Sequence, residues 1–320
     1  MYCLVSTFSK TFDELGLIYF IPSFLDKHIK TGQIVEIPMG TKIEIAVILE
    51  IGTLKKLNTL NISEEKIKSI ISIKNENDFL KPKQIKLAQF ISSYYFTHIH
   101  NSISLFFPRN LRDKITKDKI KFEKKEQLNY SFDFDKQLSE KQLEIFKKIN
   151  KSKENKYLLH GVTGSGKTEI YIRLIKKQLD LGKQSLLLIP EIILTNQLEK
   201  RLKKVFGENV LVINSSITEA SKTKAWLSIY QNNSKIIIGT RSALFYPYYD
   251  LGLIIIDEEH DNSYQSDQAP RYNSIEVANK ITILYGNKLL LASGTPSIKS
   301  IYKAVKGKYK LLKLLEKFDK

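Results

Sequence analysis

A chain of 320 residues with 51 Lys and Arg against 34 Asp and Glu, formally +17, has room for two domains and suits a polyanionic partner such as nucleic acid. Its one cysteine, Cys3, excludes an internal disulfide framework and a cysteine-based zinc site. No apolar run reaches the roughly 18 residues of a membrane span, and Met1–Phe8 lacks a signal-peptide pattern, so a cytoplasmic protein without a membrane partner is expected. Only six of the basic residues are Arg; the abundant Lys is spread along the chain and singles out no region.

Three short β-rich runs come first, Leu17–Pro22, Gln33–Pro38 and Ile43–Ile51. Turn signals at Thr31-Gly32, Met39-Gly40 and Gly52-Thr53 separate them, which predicts a small, mostly antiparallel β unit. Residues 54–78 read as a loop and a surface strand. Pro82–His98 carries an apolar stripe at helical spacing. Within it Tyr94, Tyr95 and Phe96 suit either core packing, the preferred reading, or a base-stacking platform. Leu111–Asp135 is Lys-rich and short of apolar periodicity, so residues 111–136 are expected to be a basic linker between a domain at 1–110 and another at 137–320. Arg109, Arg112, Lys114, Lys117 and Lys119 suit a DNA backbone or a solvated linker equally well.

From Ser139, a candidate helix cap, strands and helices alternate. Apolar strands are expected at Tyr157–Leu159, Ser185–Ile189, Val210–Ile213, Lys235–Ile238, Leu253–Ile256 and Lys288–Ala292. Helices are expected at Ile170–Leu179, Leu194–Val205, Glu219–Tyr230 and Ser274–Leu284. This pattern predicts an α/β fold with a parallel sheet covered on both faces, whose ligands sit at the carboxyl ends of the strands.

Two motifs carry the chemistry. Gly161-Val162-Thr163-Gly164-Ser165-Gly166-Lys167-Thr168 lies between a strand and a helix, the context of a phosphate-binding P-loop. Its backbone N–H groups would cradle the phosphates of ATP, Lys167 would reach the outer phosphates, and Thr168 would hold Mg²⁺. Leu253–Ile256 then empties into Asp257-Glu258-Glu259-His260, as in a Walker B motif. Asp257 is expected to hold Mg²⁺ through water, and Glu258 to orient and deprotonate the attacking water.

Further phrases follow other strands: PEIILTNQ from Pro190, GTRSA from Gly239, SGTPS from Ser293, and a polar loop containing Tyr264-Gln265 and Pro270-Arg271-Tyr272. Together these motifs resemble the superfamily 2 DExH helicases, and more closely the PriA family of primosomal replication-restart helicases. The shared phrases run almost unbroken over residues 157–300. A weaker likeness over IP, GQIVEIPMG and YYFTHIHNSISLFFPRNLR is to that family's domain for the 3′ end of the leading strand.

The resemblance implies a RecA-like lobe preceded by a β-rich DNA-binding domain, and an ATP-dependent enzyme moving 3′→5′ along single strands of forked DNA. It implies partners among primosome proteins and single-strand-binding protein. Gln142 matches a glutamine that reads adenine, and a solvated helix residue is the plainer alternative. Thr195, Thr240 and Arg241 match residues that grip the strand, Arg241 also suiting a buried ion pair. The loop with Tyr264, Arg271 and Tyr272 matches one that couples DNA contact to hydrolysis, and a surface loop with incidental tyrosines is the plainer alternative. His260 with Ser293 and Thr295 would link the acidic motif to the last sheet strand, and His260 joins Lys167, Asp257 and Glu258 as a catalytic candidate.

Ile18 stands where family members often carry a polar residue. The family's second lobe, its arginine finger, its winged-helix insertion and its zinc-binding cysteines have no counterpart in these 320 residues. The chain is therefore expected to be a truncated form that binds DNA and ATP but unwinds poorly. A RecG-like translocase and a non-catalytic fork-binding scaffold remain as alternatives.

Overall fold

The computed structural model describes residues 1–9, 15–57, 62–120, 122, 132, 137–191 and 197–317. The chain divides into two compact units, Met1–Phe122 with Asp267–Tyr272, and Glu123–Ser266 with Asn273–Lys320. No helix among the described residues is long and apolar enough to cross a membrane.

The first unit is a five-stranded sheet in the order β2-β1-β4-β3-β5, antiparallel at every pairing. Its strands are β1 (Tyr2–Thr7), β2 (Leu17–Phe20), β3 (Ile34–Met39), β4 (Lys42–Gly52) and β5 (Ser72–Ile73). A short helix, α1 (Leu54–Leu57), follows β4. Cys3, Val5, Tyr19, Val35, Ile37, Ala46 and Ile48 alternate along their strands and fill one core. At the tight turn before β3, Gly32 is in the left-handed region at φ +88°, and a Cβ there would stand 1.8 Å from the Leu80 carbonyl oxygen, so only glycine fits.

Three helices complete the unit: α2 (Pro82–Tyr94), α3 (Ile99–Ser104) and α4 (Arg109–Thr116). The expected single helix through His98 is interrupted at Phe96, which has φ +48°. Core packing also fails for two of the aromatics there: Phe96 is 97% exposed and Tyr94 54% exposed. The linker expected from residue 111 is a helix at its start, because Leu111 and Ile115 are buried one turn apart. Arg112 is likewise a strut; its guanidinium donates to the Ser104 and Phe107 carbonyls at 2.8 and 3.1 Å. Most of the remaining linker lies outside the described residues.

The second unit opens with α5 (Glu140–Lys151), where Ser139 and Gln142 form a reciprocal capping box. Then follow β6 (Lys156–Gly161), α6 (Lys167–Asp180), β7 (Gln184–Leu188), α7 (Gln197–Phe206), β8 (Val210–Ile213) and α8 (Glu219–Tyr230). The last elements are β9 (Ile236–Gly239), β10 (Leu251–Ile256), α9 (Ser274–Tyr285), β11 (Lys288–Ser293), α10 (Ile298–Val305) and β12 (Lys310–Leu314). The seven strands form a wholly parallel sheet in the order β12-β6-β11-β10-β7-β9-β8. Every residue of β10 is buried, as the unbroken apolar run requires of a strand covered on both faces.

Strand order positions the site. β11 lies between β6 and β10, with Ser293 opposite His160 and Leu291 opposite Ile256. The carboxyl ends of these three neighbours therefore bring the P-loop, the SGT turn and the acidic motif side by side.

Candidate nucleotide-binding site

The P-loop leaves β6 at Gly161 and enters α6 at Lys167. Gly164 and Gly166 have φ +82° and +80°, left-handed values that bend the chain back on itself. Lys167 is 9% exposed, and its ammonium donates to the Gly161 carbonyl at 2.7 Å and to Glu258 Oε1 at 3.2 Å. Ser165 Oγ is buried without a protein partner among the described residues. A Cβ on Gly161 would stand 3.1 Å from the Lys167 side chain and 3.2 Å from Ser165 Oγ, a tight fit that would push on both. Val162 donates its N–H to the Leu314 carbonyl at 3.1 Å, while Thr163 and Gly164 are exposed at the mouth and Thr168 is half-buried on the first turn of α6. A bent loop of N–H groups, a buried ammonium and an orphaned hydroxyl fit a triphosphate with its magnesium ion.

Gln142 is 1% exposed and its amide is spoken for. Its oxygen accepts from the Ser139 N–H at 2.9 Å and its nitrogen donates to the Ser165 carbonyl at 3.0 Å. It braces the P-loop from α5.

The acidic motif points its side chains in different directions. Asp257 Oδ1 accepts from the Tyr171 hydroxyl at 2.7 Å. Burial raises the Asp257 pKa above the ordinary aspartate range, partly countered by that phenol. Glu258 has φ +45°, a left-handed backbone in a non-glycine residue at the turn where the chain leaves β10. Its carboxylate meets Lys167 on one side and, at 3.5 Å, the Ser293 hydroxyl on the other. His260 Nδ1 lies 2.7 Å from that hydroxyl, which also accepts from the Thr295 N–H at 2.9 Å. The expected His260–Ser293–Thr295 connection is therefore present in the geometry, with Thr295 joining through its backbone.

Glu259 went unsingled in the sequence and is the most committed of the four. It is 2% exposed and accepts from the Ser297 N–H at 2.7 Å, the Ser297 hydroxyl at 3.0 Å and the Ser300 hydroxyl at 2.9 Å. A carboxylate thus sits at the start of α10, where the helix dipole favours it. The Ser297-x-x-Ser300 spacing was the available signal for that helix start.

Three of the residues expected to grip DNA are buried. Tyr264 is 2% exposed, and its hydroxyl donates to the Asp257 carbonyl at 2.6 Å and the Leu188 carbonyl at 3.2 Å. Tyr272 is 4% exposed and Thr240 2%. Their side chains are packed inside the protein rather than presented at its surface. Arg241 forms no ion pair among the described residues; one guanidinium nitrogen donates to the Ser263 and Gln265 carbonyls at 2.9 and 3.0 Å. Arg271 is exposed. Thr195 lies outside the described residues.

Comparison with known proteins matches this arrangement. The DEAD/DEAH box helicase model covers residues 139–304, about half the chain, and the chain belongs to that family. A second model, the 3′ DNA-binding domain (3′BD) of PriA, matches residues 8–108. Three similar relatives carry the same name, replication restart protein PriA. The Rickettsia felis protein is 35% identical over 95% of this chain and 44% of its own length. That of Helicobacter pylori is 38% identical over 86% of this chain and 40% of its own. The Bacillus subtilis protein is 44% identical over 55% and 22% respectively. The chain spans less than half the length of these curated relatives.

Proposed function

We propose that this chain binds ATP with Mg²⁺ at the β6–β11–β10 edge and forked or single-stranded DNA, and that it serves the ATP-dependent helicase chemistry of replication restart. The observation that carries the reading is the contact of Lys167 with Glu258 at 3.2 Å, which brings the P-loop and acidic motif into one site. The family supports ATP and magnesium, and the 3′BD match supports DNA with a 3′ end. The names of the relatives support replication restart as the setting, with primosome proteins and single-strand-binding protein as the expected partners. The formal charge of +17 suits a phosphate backbone.

Lys167 neutralises Glu258 while no phosphate competes for its ammonium. When phosphate oxygens take that ammonium, the Glu258 carboxylate is released to orient a water and accept its proton. The dipole of α6 and the backbone N–H groups of the loop, apart from those of Val162 and Ser165, which donate to the Leu314 and Val162 carbonyls, orient the phosphates. Ser293 and His260 hold the second Glu258 oxygen so that the first faces the lysine. A magnesium ion held by Thr168 and Asp257 would neutralise phosphate charge.

The test is ATP hydrolysis and fork binding by the 320-residue chain, with and without a forked DNA bearing a 3′ leading-strand end. Lys167→Ala should weaken nucleotide binding by roughly 100-fold or more while fork binding persists. Equal nucleotide affinity in the variant would refute the site. Tight fork binding without turnover would instead favour a recognition module whose transition-state charge is supplied elsewhere.

A further inference from the structure

We infer that Tyr171 is a positioning residue for the acidic motif, setting the orientation in which Asp257 offers its carboxylate to the metal ion of the nucleotide. The inference rests on the nucleotide reading above and adds to it a residue outside every motif phrase. Tyr171 is wholly buried on α6, and its hydroxyl lies 2.7 Å from Asp257 Oδ1. One helical turn earlier, the same helix presents Lys167, so a single rigid element carries both the phosphate-facing ammonium and the phenol that holds the metal-facing carboxylate.

The main chain of Asp257 is already immobilised. Its N–H donates to the Leu188 carbonyl at 3.0 Å, and its own carbonyl accepts from the Tyr264 hydroxyl at 2.6 Å. Rotation of the carboxylate is the freedom that remains, and the Tyr171 hydrogen bond removes it. Outer partners of a ligating carboxylate act in this way, fixing orientation without touching the ion, and their loss typically weakens metal affinity by about 10- to 100-fold.

A buried phenol also needs a partner for its own sake, so the competing account is that Tyr171 merely satisfies its hydroxyl. The two accounts differ in what Tyr171→Phe changes. Phenylalanine keeps the ring and its packing and deletes only the donor. Binding of a fluorescent ADP analogue to the full chain would be titrated with Mg²⁺ and repeated in chelator. Positioning predicts that the half-saturating Mg²⁺ concentration rises by about tenfold while metal-free ADP affinity stays within about twofold. An unchanged Mg²⁺ midpoint, or an equal loss with and without metal, would overturn the inference alone. Lys167→Ala, run in parallel, separates the premise: if it binds the analogue as the parent chain does, the nucleotide reading falls and takes the inference with it. Tyr264→Phe guards against a nonspecific effect of removing a phenol near Asp257. A Mg²⁺ midpoint displaced as far by Tyr264→Phe as by Tyr171→Phe would also overturn a role particular to the carboxylate.

Discussion

Two clusters at the carboxyl edge of the parallel sheet use polar side chains in opposite ways. Around β6, β11 and β10, Lys167 meets Glu258, Glu258 meets Ser293 and Ser293 meets His260 at 2.7 to 3.5 Å, bonds that could be exchanged for a ligand's. Around β9 and the 262–266 turn, Arg241, Tyr264 and Ser274 spend their donors on backbone carbonyls at 2.6 to 3.2 Å. The first cluster joins side chains to one another. The second is a truss, and it ends on the Asp257 carbonyl.

Substitutions can break that contrast. Tyr264→Ala removes a buried ring and should cost about 3–5 kcal/mol of stability by thermal or denaturant unfolding. A stacking tyrosine would instead leave stability alone and weaken DNA binding. Glu259→Ala strips three donors at the start of α10 of a common buried acceptor. A loss of about 2–3 kcal/mol is expected, with earlier hydrogen exchange in α10. Retained protection of that helix would show the carboxylate to be incidental. Arg241→Lys keeps the charge but offers a flexible ammonium in place of a fixed guanidinium. It should cost about 1 kcal/mol and loosen the 262–266 turn. A purely electrostatic DNA contact would tolerate that exchange.

The smallest effect has a pH signature. Because the folded-state pKa of Asp257 is raised, the folded chain binds more protons than the unfolded one between the ordinary carboxylate value, about 4, and the raised one. Stability contributed by this group therefore falls as pH rises through that window. Asp257→Asn does not titrate, so at pH 7 the variant should melt slightly higher, by roughly 1–2 °C, and the difference should vanish below about pH 4. A difference independent of pH would point to packing.

What the sequence made legible follows the same division. The P-loop and the acidic motif are continuous stretches whose backbone chemistry is local, so their placement after β6 and β10 could be read directly. The central strands were legible because each is an unbroken apolar run. β12 was missed because Lys310 and Lys313 interrupt it at a sheet edge, and β1 because six residues beginning at Tyr2 carry too little periodicity. Whether Tyr264 points in or out is a long-range question. Its partners, Asp257 and Leu188, are contributed by two different strand ends, and a tyrosine in a polar loop looks the same in either case. Glu259 was hidden inside a run of acids, where alternate residues turn to different neighbours and the run itself names none of them.

The place of β6 in the sheet bears on folding. Its two neighbours are β11 and β12, so the strand that feeds the P-loop is paired on both sides by segments roughly 130 and 150 residues further along the chain. Such high contact order makes β6 a slow element: until those segments emerge from the ribosome, it waits with both hydrogen-bonding edges open. The P-loop is thus encoded early and completed late. A nucleotide that binds only the finished loop would act as a folding ligand, drawing the last two strands into place by mass action.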